Sequence, residues 1–143
     1  MLFRSEGMIL QAIENADHAM WQNGIVAVGD ICNNALTISQ KSGSLLRYHN
    51  FIETSGFPPE LAAIRFQRSM DIYDLFSKKL PFNTIVPHAP YSVSPGMFQL
   101  INDLPGNKLL TIHNQESPAE DEFFTNRQGE LLRLYKEMNI DIS

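Results

Sequence analysis

Two histidines, His88 and His113, stand at the ends of two short apolar runs, and a carboxylate, Glu116, follows the second histidine by three residues. The runs are Asn83-Thr-Ile-Val-Pro-His88 and Leu109-Leu-Thr-Ile-His113. β-Branched apolar runs of this length read as buried strands, so each histidine is delivered to a strand end. A neutral imidazole held there suits zinc or iron, and a carboxylate beside a metal-activated water suits proton transfer. His113 is therefore the candidate metal ligand and Glu116 the candidate acid–base group. A plainer reading of Glu116 stands beside it: a carboxylate ahead of a helix is favoured by the positive end of that helix. His88 lies in Pro87-His-Ala-Pro-Tyr91, where two prolines stiffen the strand exit. It either meets a substrate, binds metal, or is held by the backbone of the proline turn. Tyr91 is placed to pack over it or to point into a pocket.

The elements that position these residues follow from periodicity and caps. Ser5 reads as an N-cap, and near-helical apolar spacing from Met8 to Met20 predicts a helix over residues 6–22, stopped by Asn23-Gly24. Gly24–Ile31 is a continuous apolar run of strand length with Asp30 near its end, and 33–44 is polar, with room for a short helix. Leu45–Thr54 resumes strand composition, with Glu53 at its end. Pro58-Pro59 opens a long helix whose buried stripe is expected at Leu61, Ile64, Ile72, Leu75 and Phe76, closed by Pro81. A third strand, Asn83–Ser92, leads to the Ser94-Pro95 start of a short helix. The fourth strand, Lys108–Gln115, runs into Ser117-Pro-Ala-Glu120, which has capping-box spacing, and one helix is expected from there to about Met138. Residues 139–143 alternate as if a fifth strand were starting.

A helix followed by four strand–helix units implies right-handed crossovers and a parallel sheet. The expected fold class is α/β, a parallel βα repeat forming a four-stranded partial, half TIM barrel with outer helices, with residues 1–143 as one domain. In parallel α/β architectures ligands bind at the carboxyl ends of the strands, so Asp30, Glu53, His88, His113 and Glu116 are expected on one rim.

Composition excludes several classes. With 143 residues, 43% apolar and 19% charged, the chain can bury one core. Its net charge of −5, with scattered Lys and Arg, argues against nucleic acid and for a small-molecule or protein partner. A single cysteine, Cys32, and no signal-like segment point to a reducing, cytoplasmic setting, and no apolar run is long enough to span a bilayer. No glycine-rich phosphate loop and no serine nucleophile elbow is present. His18 falls in a polar helix stretch and His49 inside a strand, so both read as ordinary surface or strand-face residues. Trp21, Met20 and Phe98 read as packing, and Cys32 as a small buried residue.

At Gly24-Ile-Val-Ala-Val-Gly-Asp30, Pro87-His-Ala-Pro-Tyr-Ser-Val-Ser94 and Thr111-Ile-His-Asn-Gln-Glu116 the chain resembles consecutive segments of the metal-dependent amidohydrolase superfamily. The similar branch holds the chlorohydrolases and the guanine, cytosine and S-adenosylhomocysteine deaminases. The resemblance implies that His113 is a metal ligand on the fifth barrel strand, that Glu116 transfers protons, and that His88 contacts substrate, with Tyr91 and Glu53 near the pocket. It implies a divalent metal, zinc or iron, in the full-length enzyme and hydrolysis or deamination at a C–N bond. The family's His-x-His pair, sixth-strand His and eighth-strand Asp have no counterpart here. The chain therefore reads as a catalytically incomplete fragment covering barrel strands two to five. Two alternatives are a non-catalytic half-barrel, pairing as a homodimer through its open edges, and a small doubly wound domain without metal.

Overall fold

The structure, a computed structural model, describes residues 5–140. In chain order its elements are α1 (Glu6–Gln22), β1 (Ala27–Cys32), α2 (Ile38–Gly43), β2 (Arg47–Thr54), α3 (Ala62–Ser77), β3 (Asn83–Pro87), α4 (Pro95–Asp103), α5 (Pro118–Asn126) and α6 (Glu130–Glu137). Single 3₁₀ turns, Pro59–Leu61 and Pro90–Ser92, lead into α3 and α4. The chain forms two compact units: one comprises the residues up to Glu53 with Ser69–Ile85, the other Thr54–Arg68 with the residues from Val86 onward. Among the described residues no helix is long and apolar enough to cross a membrane.

The first unit is built on the sheet, three parallel strands in the order β1-β2-β3. β1 pairs with β2 from Ala27 opposite Arg47 to Cys32 opposite Ile52. β2 shows the period of two that a sheet imposes: Tyr48, Asn50, Ile52 and Thr54 are buried, and Arg47, His49, Phe51 and Glu53 take the other face. Gly29 is required by close approach, since a Cβ there would lie 2.9 Å from the Phe51 ring. Ser5 caps α1 as expected, accepting from the Met8 amide at 3.4 Å.

The buried face of this unit carries more polar groups than its sequence suggests. Asp17 is buried and accepts from Tyr48 Oη (2.6 Å), Ser44 Oγ (2.7 Å) and Gln40 Nε2 (3.2 Å). Burial raises its carboxyl, but these three donors outweigh burial and hold it below the usual range. Tyr48 is pushed up by burial and by the same Asp17 charge. Lys41 of α2 is also buried and meets Asp30 Oδ2 at 2.5 Å and Asn50 Oδ1 at 2.8 Å. Asp30 is thus an ion-pair partner of a helix lysine.

In the second unit the backbone after β2 bridges to the segment after β3, with Gly56 N donating to Ser92 O (2.8 Å) and Ser94 N donating to Gly56 O (3.0 Å). Ser94 caps α4, accepting from Met97 N at 3.3 Å. That cap aims Met97 and Ile101 inward, where burial of each stabilises by roughly 2 kcal/mol.

Three expectations are corrected. Residues 108–113 are extended but form no strand, so the sheet has three strands and not four. Among described backbone bonds the segment reaches β3's continuation once, through His113 N to His88 O at 2.8 Å. The reason lies in the neighbour: Pro87 and Pro90 have no N–H to donate, and the chain turns away into a 3₁₀ turn at Pro90, so the ladder cannot propagate. The single helix expected to Met138 is two, broken where Arg127 and Gly129 take φ of 53° and 94°. On α3 the stripe runs through Ala62, Ser69 and Phe76, while Leu61, Ile64 and Leu75 stay open. The expected fifth-strand start falls largely on residues 141–143, outside the described residues.

Candidate functional site

The proline-stiffened exit of β3 and the extended 108–113 segment bring their histidines together in the second unit. The single backbone bond from His113 N to His88 O places the two rings 5.5 Å apart, crossing at 63°. After His113, Gln115 takes a left-handed φ of 55°, a conformation that costs a non-glycine residue about 1 kcal/mol. This bend returns Glu116 toward the histidine, with Glu116 Oε1 at 3.7 Å from His113 Nδ1. Both side chains remain about 40% exposed, at 40% and 39%, so the pair faces solvent.

Tyr91 resolves its two alternatives by doing both. Its ring meets that of His88 edge-on at 5.8 Å, and its hydroxyl donates to Glu116 Oε2 at 2.9 Å. A single tyrosine therefore touches the residue expected to contact substrate and holds the expected acid–base group. His88 is fixed from the other side by Ser92 Oγ, 2.7 Å from Nδ1. The Ser92 hydroxyl also lies 3.1 Å from the Ala89 carbonyl and 3.2 Å from the Ala89 amide. The Ser92 hydroxyl thereby ties the His88 ring to the Ala89 backbone.

Two residues that pattern reading missed support the cluster. Glu120 was read as half of a capping box, but Ser117 makes no side-chain cap bond, and the buried Glu120 carboxylate accepts instead from the Glu116 amide at 2.9 Å. Tyr135 of α6 donates its hydroxyl to the Tyr91 carbonyl and stacks on Phe57 at 4.8 Å. Burial, reinforced by Tyr91, pushes the Tyr135 phenol up to about 12, so it stays a donor. Ser92 had no signal beyond its spacing four residues after His88. Beside the cluster is a cavity of about 260 Å³ whose lining includes Phe57, Leu61, Tyr91, Ser92 and Tyr135. A larger one, about 480 Å³, belongs to the first unit, and Asp17 in its wall is engaged by three donors.

Glu53 ends β2 in the first unit and Asp30 pairs with Lys41, whereas His88, Tyr91, His113 and Glu116 form one cluster within the second. Among the described residues no three His, Cys, Asp or Glu side chains are placed to hold a metal. A catalytic zinc takes three protein ligands, so the donors among the described residues do not by themselves fit one.

No family model and no curated protein matches the chain. Solved structures do. The crystal structure of Helicobacter pylori aminofutalosine deaminase superposes with a TM-score of 0.72 at 29% identity, over 89% of this chain and 33% of that one. The same deaminase in complex with methylthio-coformycin gives 0.74 at 29% identity, over 93% and 33%. In fold and sequence this chain is similar to that deaminase, a member of the amidohydrolase superfamily. It spans about a third of the length of the deaminase it matches.

Proposed function

We propose that this chain is the part of a deaminase-like amidohydrolase that supplies one metal-ligand histidine, His113, the proton-transfer residue Glu116 and the substrate-side pair His88 and Tyr91. The observation that carries the reading is the Tyr91–Glu116 hydrogen bond beside the crossed His88 and His113 rings. In such a protein Glu116 moves protons at the reacting C–N bond, Tyr91 keeps its carboxylate aimed at His113, and His88 offers Nε2 to a polar substrate group. The adjoining cavity receives the part of the substrate away from the amine. The remaining donors for a divalent metal, zinc or iron, come from sequence other than these residues, so no hydrolytic step is assigned to this chain alone. The free thiol of Cys32 fits a reducing, cytoplasmic setting.

The test uses the purified chain with methylthio-coformycin as ligand and aminofutalosine as substrate. The expected result is no ammonia release, with weak ligand binding that falls at least several-fold in His88→Ala and in Tyr91→Phe. Binding unchanged by both substitutions overturns the assignment, as does release of ammonia at an ordinary enzymatic rate.

One observation favours a second reading, a half-barrel that pairs with a second copy: Leu109, Leu110 and Ile112 are 54%, 40% and 39% exposed on a segment with a single described ladder bond. Light scattering at micromolar concentration distinguishes the two, since that reading requires the mass of a dimer.

A further inference from the structure

We propose that Cys32 and Lys41 are a peroxide-driven cross-linking site, joined by an S–N bond between Cys32 Sγ and Lys41 Nζ. The pair lies in the first unit, apart from the His88–Glu116 cluster, and takes no part in the function proposed above. Lys41 Nζ is 3.2 Å from Cys32 Sγ, and both residues are about 95% buried, at 5% and 4% exposure. The cysteine is not isolated: a buried nitrogen nucleophile is pinned against it. Asp30 Oδ2 at 2.5 Å, Asn50 Oδ1 at 2.8 Å and the Tyr48 and Phe76 rings, 5.0 and 5.3 Å from Nζ, hold the lysine head against the sulfur. The nearest partly exposed group is Asp30, whose Oδ2 is 3.7 Å from Sγ and whose side chain is 38% exposed.

The steps balance with one equivalent of hydrogen peroxide. Cys32 sulfur attacks one peroxide oxygen, the O–O bond breaks, and the departing hydroxide takes the thiol proton, leaving a sulfenic acid and one water. A sulfenic acid condenses with a neighbouring thiol or nitrogen, and this chain has no second cysteine. Lys41 passes a proton through Asp30 to water. The neutral amine then forms the S–N bond, the S–O bond breaks, and the hydroxyl leaves as a second water with an amine proton. Sulfur is oxidised by two electrons and peroxide is reduced to water. Burial raises the Cys32 thiol while the Lys41 charge opposes it, so the first step is slower than at an exposed thiolate. The product ties β1 to α2 and replaces the Lys41–Asp30 ion pair.

The test is peptide mapping of the full chain after a small excess of hydrogen peroxide, with denaturation and maleimide labelling. The expected product is a single tryptic peptide covering residues 5–47, uncut after Lys41, two hydrogens lighter, without maleimide, and restored by dithiothreitol. The same treatment in urea must not give it, because the contact is then lost. Lys41→Arg keeps the charge but not the nucleophile, and is expected to yield a dimedone-trappable sulfenic acid that advances to sulfinic and sulfonic acids. Should that variant fail to fold, the native and urea maps of the unmodified chain still decide. Native chain that gives only sulfinic or sulfonic acid at Cys32, or a thiol still fully reactive, overturns the proposal.

Discussion

The Asp17 and Lys41 clusters of the first unit and the His88–Glu116 cluster of the second use the same kinds of groups, carboxylates with tyrosines and cations, yet they are built in opposite ways. Asp17 and Lys41 are buried, each with three polar partners within 3.2 Å, on the strand face and helices that form the core. His113 and Glu116 are about 40% exposed and 3.7 Å apart, positioned by a left-handed residue and by second contacts through Tyr91 and Glu120. Satisfied buried polar groups specify a fold, since each left without a partner costs stability. Carboxylates and imidazoles left open to solvent add little stability and remain available for chemistry. The two regions should therefore respond oppositely to substitution.

The largest effect is expected at Asp17. Replacing it with Ala leaves Tyr48 and Ser44 without their acceptor and should destabilise by about 3 kcal/mol, read as a lower urea midpoint. Lys41→Met, which strands Asn50 but leaves Asp30 partly hydrated, should cost somewhat less, about 2 kcal/mol. Ser92→Ala sits between the two regimes at about 1 kcal/mol, and its sharper readout is loss of a single His88 ring orientation by NMR. Glu116→Ala and Tyr91→Phe should change stability by no more than about 0.5 kcal/mol. A Glu116→Ala cost equal to that of Asp17→Ala would erase the contrast and make the second cluster structural.

Acid should act on two groups of the first unit. Asp17 is held below its ordinary value of 3.8, so its contribution is complete above that pH and is lost as pH falls toward its lower folded value. Burial holds His49 below 6.5, so as pH drops through 6.5 the unfolded chain takes up a proton that the folded chain refuses, and stability falls. His49 contributes a slope of this sign below pH 7, and His49→Gln should reduce it. Unchanged slope in that variant would move the titration elsewhere.

The elements were legible where local chemistry decides them: the Ser5 and Ser94 caps, the proline-led starts of α4 and α5, and the β1–β2–β3 succession all follow from nearby residues. The fourth strand was not, because whether Leu109–His113 pairs depends on N–H groups that Pro87 and Pro90 of its neighbour lack. His88 was legible as a strand-end residue, whereas His113 and Glu116 were expected at the end of a fourth strand that does not form. The lysine partner of Asp30 was not legible, since its sequence position does not disclose a side chain reaching it from α2. Ser92, Glu120 and Tyr135 were invisible for the same reason: each acts through a contact that only the folded backbone creates.

Zinc titration of the purified chain and of His113→Ala tests the central claim most directly, that the second cluster is an open and incomplete metal-and-proton site. The account predicts weak binding, removed by dialysis, that is lost in His113→Ala while the fold persists. Zinc retained tightly at one per chain, or binding equal in the two proteins, would contradict it.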